Sequence, residues 1–326
     1  MTTAFSSNVR TAVRDSNQRF VITGAGGWLG LATLELLHDA LSDALPDRVH
    51  CFGASSRTLT LLSGATINQQ PLTRLSDLDE RPTLVLHLAF LTKDRAEVMD
   101  EAAYRTANRG LSQLVLDNLD RIGAKSVFVA SSGAARFADD PAKSPAMRLY
   151  GELKRDDEDA FAAWAGASSN RAVVTRIFNI AGPHINKLQS YALSALMQEA
   201  MAGRPIAVRA PHPVVRGYVA IRELMSLVFA LLLEPSPAVI RFDTGGEPME
   251  LAEVAEAIAG LTGGKAVRAV LSSAAEDRYV GNRTAYDRLL AEHGIAVVTF
   301  AQQLAETHSD LARRVKRDDA AVQIRD

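Results

Sequence analysis

Cysteine is almost missing from this chain of 326 residues: Cys51 stands alone, so no intrachain disulfide can form and no cysteine-based metal site can be assembled. That usage suits a reducing compartment, and a cytoplasmic location is expected. The seven histidines stand without partners at metal-ligand spacing, so no metal is expected. An excess of either charge is also lacking. With 36 lysines and arginines against 38 aspartates and glutamates, the formal net charge is −2, which gives no reason to expect a nucleic-acid partner. Long apolar runs are absent too. The longest, "LMSLVFALLL" from Leu224 to Leu233, is about half of what a bilayer crossing needs, so it reads as a buried helix and no membrane partner is expected. The opening residues lack the apolar stretch of a secretory signal, and 1–18 read as a polar lead. There is neither a solenoid repeat nor a low-complexity tract.

What remains is an ordinary globular composition, 47% hydrophobic and 23% charged, long enough for one large α/β domain or two coupled ones. From Arg19 the chain alternates apolar runs with helical patterns. "RFVIT", "RVHCFG", "TLVLHLAF" and "SVFVASS" are apolar without polar alternation, as strands buried on both faces are. Between the last two, Leu111, Leu114, Val115, Leu119 and Ile122 form one helical stripe that Gly123 stops. The βαβ pattern predicts an α/β fold, a Rossmann-like doubly wound parallel sheet.

"VITGAGGWLG" places Gly24, Gly27 and Gly30 between the first strand and the helix that follows it. Glycine lets the backbone turn tightly and approach a pyrophosphate, and the N–H groups opening the helix at Trp28 and Leu29 would receive its charge. That context points to a dinucleotide. The second strand of such a unit usually ends in an acidic residue that holds the ribose hydroxyls; here Gly53 takes that place. Ser55, Ser56 and Arg57 follow it, and their hydroxyl and guanidinium donors suit a 2′-phosphate. NADP is therefore expected ahead of NAD.

From about Phe20 to Phe300 the chain resembles the extended short-chain dehydrogenase/reductases, the NAD-dependent epimerase/dehydratase group. "TGAGGWLG" resembles that family's T-G-x-x-G-x-x-G, "LHLAF" its H-L-A-A, "YGELK" its Y-x-x-x-K, "RIFNIAGP" its R-x-x-N-x-x-G-P and "VVRGYVAIREL" its R-D-[FY]-[VI]-x-V-x-D. The resemblance implies a catalytic set of Ser132, Tyr150 and Lys154. Ser132, preferred to Ser131, would bond the substrate oxygen, Tyr150 would exchange a proton with it, and Lys154 would also hold the nicotinamide ribose. Tyr150 and Lys154, four residues apart, share a helix face, and an ammonium beside a phenol is expected to lower its pKa. Ala89, Phe90 and Leu91 would line the cofactor, with Asn108 and Tyr150 also counted among its binding residues. Asn108 would support the strand and helix of the site, and Asn179 and Arg216 would meet the substrate, Arg216 through a diphosphate.

The dehydratases of this group carry an Asp-Glu pair after the catalytic hydroxyl. Here Gly133 and Ala134 stand there, which argues against dehydration by that route. The resemblance thus implies an NADP-dependent ketoreductase acting on a nucleotide sugar. The alternatives are a nucleotide-sugar 4-epimerase that retains NAD, and a non-enzymatic dinucleotide sensor. A homodimer is expected by analogy alone. The expected division is a dinucleotide-binding domain over 19–182 and a substrate lobe over 183–326, with 218–244 returning to the first domain.

Overall fold

The computed structural model describes residues 4–273 and 275–323. Five strands run parallel in its first half: β1 (Arg19–Thr23), β2 (Val49–Gly53), β4 (Thr66–Pro71), β5 (Thr83–His87) and β6 (Ala124–Ser132), with β3 (Arg57–Thr60) inserted between β2 and β4. With β7 (Arg171–Ile177) and a strand at Ala238–Asp243 they complete an eight-stranded sheet. Its order is Ala238–Asp243, β7, β6, β5, β1, β2, β4, β3. β1 and β5 are buried along their whole length, because helices cover both faces, and that is why these runs lack polar alternation. The Rossmann-like expectation holds.

Two features differ from the sequence reading. β3 is antiparallel to β4, pairing Arg57 with Gln69 through Thr60 with Thr66. The segment between Gly53 and Thr66 is short, and it forms an edge strand where a crossover helix would need more chain. The supposed polar lead contains a helix, Ser7–Asp15. Phe5, Val9 and Val13 recur at helical spacing and are buried, and the Phe5 ring lies 4.8 Å from that of Phe229. Three apolar residues sufficed, where no continuous apolar run advertised them.

Residues after β7 build a smaller sheet. Its central strand, Val214–Ala220, runs parallel to Asn179–Ala181 and Asp277–Tyr279 and antiparallel to Pro248–Glu250. The chain then returns to the large sheet through the helix Ile221–Leu233 and the strand Ala238–Asp243, which pairs with β7. Tyr218–Ala220 thus lie in the small sheet. Buried polar ties join the two parts: Trp28 donates to the Pro183 carbonyl at 2.8 Å, and His184 Nε2 lies 2.8 Å from Glu35. No helix among the described residues is long and apolar enough to cross a membrane.

Candidate active site

The glycine loop is shaped by close backbone contact. Gly24 has φ of +68°, and a Cβ there would stand 2.8 Å from the Ala89 nitrogen; at Gly30 it would meet the Ala25 carbonyl oxygen at 2.5 Å. The helix Trp28–Leu41 that follows has no side-chain cap, so the N–H groups of its first turn are open to an anion. These features fit the pyrophosphate of a dinucleotide. Facing the loop, Thr23 Oγ1 accepts from the Leu88 and Ala89 nitrogens, both at 3.2 Å. Asn108, which is buried, accepts from the Leu91 nitrogen at 2.8 Å, and Tyr104 donates to the Leu91 carbonyl. Asn108 therefore sets the path of Ala89, Phe90 and Leu91 from behind.

At the end of β2, Gly53 leaves room for Gln69: a Cβ would come within 2.4 Å of its Nε2, which donates to the Ser55 carbonyl at 2.8 Å. Ser55, Ser56 and Arg57 are exposed. The Arg57 guanidinium lies across Gly26, whose added Cβ would be 1.5 Å from Nη2. Ser56, Arg57, Gln69 and Arg74 border an open groove of about 540 Å³. A smaller cavity of about 200 Å³, lined by Tyr218, Glu223, Arg283 and Gln303, shares no residue with the predicted catalytic set.

Strand alternation separates the two serines at the end of β6. Ser131 points into the protein and donates to Glu158, which Arg176 holds with two contacts of 2.8 Å. Ser132 accepts from the Ala134 nitrogen at 3.2 Å and lies 3.3 Å from the Tyr279 hydroxyl. Tyr150 and Lys154 come from the helix Pro145–Ser168, which Ser144 caps by accepting from the Met147 nitrogen. Burial pushes the Tyr150 phenol up from its usual range, against the opposing Ser132 hydroxyl. The expectation that Lys154 lowers it is corrected here. The Lys154 ammonium turns instead to the Ala130 carbonyl at 2.8 Å and to the face of Phe90, 3.6 Å from the ring centroid. Phe90 also packs edge-on against Tyr150, 5.7 Å between centroids, so one ring contacts both members of the pair. Lys154 itself is buried and pushed down to about 8, burial outweighing the carboxylates of Asp157 and Glu158.

On the opposite side, Asn179 donates to the Gly217 and Tyr279 carbonyls, both at 3.3 Å. Arg216 is paired with Asp277, 2.6 Å from the carboxylate and 2.8 Å from the carbonyl. Both residues expected at the substrate are thus engaged with their own lobe. Sequence reasoning missed Tyr279. Its strand is three residues long, and no periodicity marks it. It reaches Ser132 because Asp277–Tyr279 pairs with Val214–Arg216. Tyr279 also explains Gly133: a Cβ there would meet Phe178 at 2.5 Å and the Tyr279 hydroxyl at 2.7 Å. An acidic side chain at that position would have to displace the Phe178 ring and the Tyr279 hydroxyl.

A family model described as the NAD dependent epimerase/dehydratase family matches residues 20–241. No curated protein matches the chain. Among solved structures, the chain is similar to MoeE5 in complex with UDP-glucose and NAD, with 17% identity and a TM-score of 0.68, covering 91% of this chain and 99% of that one. It is also similar to a UDP-N-acetylglucosamine 4-epimerase from Methanobrevibacter ruminantium M1, with 17% identity and a TM-score of 0.69 over 92% of this chain and 99% of that one. TunA, an NAD-dependent NDP-hexosamine 5,6-dehydratase, has 18% identity and a TM-score of 0.64 over 90% and 98%.

Proposed function

This chain belongs to the NAD-dependent epimerase/dehydratase family, and from that premise we propose that it reduces a keto group of a nucleotide sugar, with Tyr150 as the acid. One observation carries the choice of reduction. The Tyr150 phenol, raised above its usual range by burial, stands beside Ser132, and the position after that serine is a glycine pressed against Phe178 and Tyr279. A protonated phenol is ready to give a proton, and neither Gly133 nor Ala134 offers the carboxylic acid that would help to expel a hydroxyl.

Ser132 and Tyr150 would bracket the carbonyl oxygen. When bound, the nicotinamide supplies a hydride to the carbonyl carbon. Tyr150 gives its proton to the oxygen, completing the alcohol, and solvent restores the phenol. Lys154 would hold the ribose, which requires its ammonium to exchange the Phe90 face for hydroxyl groups. The exposed Ser55, Ser56 and Arg57 favour NADPH over NADH, since Gly53 offers no carboxylate to repel a 2′-phosphate. We assign the cofactor to residues 19–182 with the returning segment, and the substrate to the small sheet with Asn179, Arg216 and Tyr279.

The test is NADPH oxidation with a panel of 4-keto nucleotide sugars, comparing wild type with Tyr150→Phe. Unchanged turnover in the variant would overturn the role of Tyr150. A 4-epimerase would use the same three side chains, and the similar structure named as such makes it the second reading. Mass spectrometry of the purified protein separates the two: stoichiometric retained NAD would favour the epimerase.

A further inference from the structure

Lys154 is a buried cation, and a buried cation needs a counter-charge. Three and four residues further along the helix Pro145–Ser168, and so on the same face, stand two buried carboxylates, Asp157 and Glu158. Glu158 is already answered by Arg176 at 2.8 Å through both oxygens and by Arg241 at 3.4 Å, and it also accepts from Ser131. Among the described residues, no arginine pairs with Asp157. Its Oδ1 accepts from Ser112 at 2.6 Å, and its Oδ2 is buried without a hydrogen-bond partner.

His87 is the other titratable group against Asp157, its Nε2 3.9 Å from Oδ2. It does not supply the charge. Burial, then Lys154, pushes this imidazole down to about 3, so it is neutral. Its tautomer follows from its neighbours. Thr23 Oγ1 accepts two backbone N–H groups, so its proton goes to His87 Nδ1 at 3.1 Å. Nε2 then carries the ring hydrogen and faces Ser112 at 3.4 Å and Asp157. Ser112 therefore orients the carboxylate while the neutral His87 ring lies beside it, and neither cancels its charge. On the outer face of the helix, Asp156 is paired with Arg109 at 3.0 Å and Glu152 with Arg105 at 2.6 Å. Of the carboxylates around Lys154, Asp157 alone has no arginine opposite it.

We propose that Asp157 is the counter-ion and positioning residue of Lys154, a carboxylate steadied by Ser112 and faced by neutral His87. The proposal rests on the reading of Lys154 as a working ammonium. Its physical content is that removing the Asp157 charge leaves the ammonium with the Ala130 carbonyl, the Phe90 ring and a Glu158 already shared with arginines, so that it loses its proton at lower pH. The mutual pull runs both ways: Asp157 is raised by burial, with Lys154 the largest opposing influence.

The experiment reads the ammonium directly in the full chain without substrate or cofactor. Seven lysines give few resonances, so selectively labelled [¹³C,¹⁵N]lysine can be titrated by NMR, with Lys154→Arg assigning the signal. The expected midpoint in wild type is about 8. In Asp157→Asn it moves down by about one pH unit, a tenfold change in proton affinity. In Ser112→Ala, which removes one support, it moves down by less. In Glu152→Gln, an outer-face control, it stays put. A midpoint unchanged or raised in Asp157→Asn overturns the proposal. Because no turnover is measured, this result is independent of the Tyr150→Phe assay: loss of activity there with no shift here would retain the reductase reading and remove Asp157 from it.

Discussion

The two sides of the cleft at Ser132 are prepared in opposite ways. On the cofactor side the groups that would meet the pyrophosphate are backbone: an uncapped helix start after Gly27 and a loop pressed against Ala89. On the substrate side they are side chains already bound to one another, Arg216 to Asp277 and Asn179 to the Gly217 and Tyr279 carbonyls. Open backbone donors receive an anion without breaking a contact. Paired side chains must exchange one partner for another, so only the surplus appears as affinity. A common nucleotide end can then be held firmly while the substrate end discriminates.

The largest effect is expected where the two sides meet. Tyr150→Phe should lower turnover by on the order of 10²–10⁴-fold while leaving the far-ultraviolet circular dichroism and cofactor binding unchanged. Wild-type turnover should also fall as pH rises through about 8, where Lys154 loses its proton. The sign follows because the proposed hold on the nicotinamide ribose is made by the charged ammonium, and that form is lost as pH rises through the lowered value of Lys154. A pH–rate profile flat from 7 to about 10 would remove Lys154 from the chemistry.

Breaking the cofactor side should cost stability as well as binding. Gly30→Ala places a methyl group 2.5 Å from the Ala25 carbonyl, and the loop must shift. A loss of about 1–3 kcal/mol is expected, measured by denaturant unfolding, together with weaker NADPH binding by fluorescence. Gly110→Ala is the contrast. It lies in the helix Glu101–Leu119 with nothing within 4 Å of its added Cβ, and it should gain up to about 1 kcal/mol from helix propensity. If both variants behaved alike, the tight approach at Gly30 would not matter.

On the substrate side the prediction has the opposite sign. Asp277→Asn releases the Arg216 fork and should tighten binding of UDP, used as a diphosphate probe, by about three- to tenfold in calorimetry. Arg216→Ala should raise KM by about tenfold with little change in kcat, since it would act on binding and not on the reacting carbon. Weaker UDP binding by Asp277→Asn would mean that Asp277 positions Arg216 and does not compete for it.

This contrast also governs what could be read from the chain. The glycine loop, β1, β5, β6 and the Tyr150 helix were legible because local patterns dictate them: buried strands have no polar alternation, and a backbone site needs glycines at fixed spacing. Tyr279 was not legible, because a three-residue strand carries no periodicity and its place beside Ser132 depends on pairing with a strand about sixty residues earlier. The direction of the Tyr150 shift was misjudged for a related reason. Spacing put Lys154 on the same helical face, yet the Phe90 ring, from the loop after β5, and the Ala130 carbonyl, from β6, decide where its ammonium points. The helix Ser7–Asp15 was hidden because only Phe5, Val9 and Val13 carry its packing.

The smallest effect concerns Arg57, whose side chain lies over the glycine loop. Its guanidinium covers Gly26, so two roles compete. As a 2′-phosphate ligand, it would make Arg57→Ala lower the preference for NADPH over NADH in kcat/KM by roughly tenfold or less, because an exposed charge is screened. Raising salt should then erode the preference in wild type and leave the variant unaffected. As a cover for the loop, it would make the same substitution improve both cofactors equally, since each would no longer displace the guanidinium. The absence of a carboxylate at Gly53 and the exposed hydroxyls of Ser55 and Ser56 favour the first outcome. A preference unchanged by Arg57→Ala, with both cofactors binding more tightly, would make Arg57 a lid on backbone donors and leave the choice of cofactor to the serines.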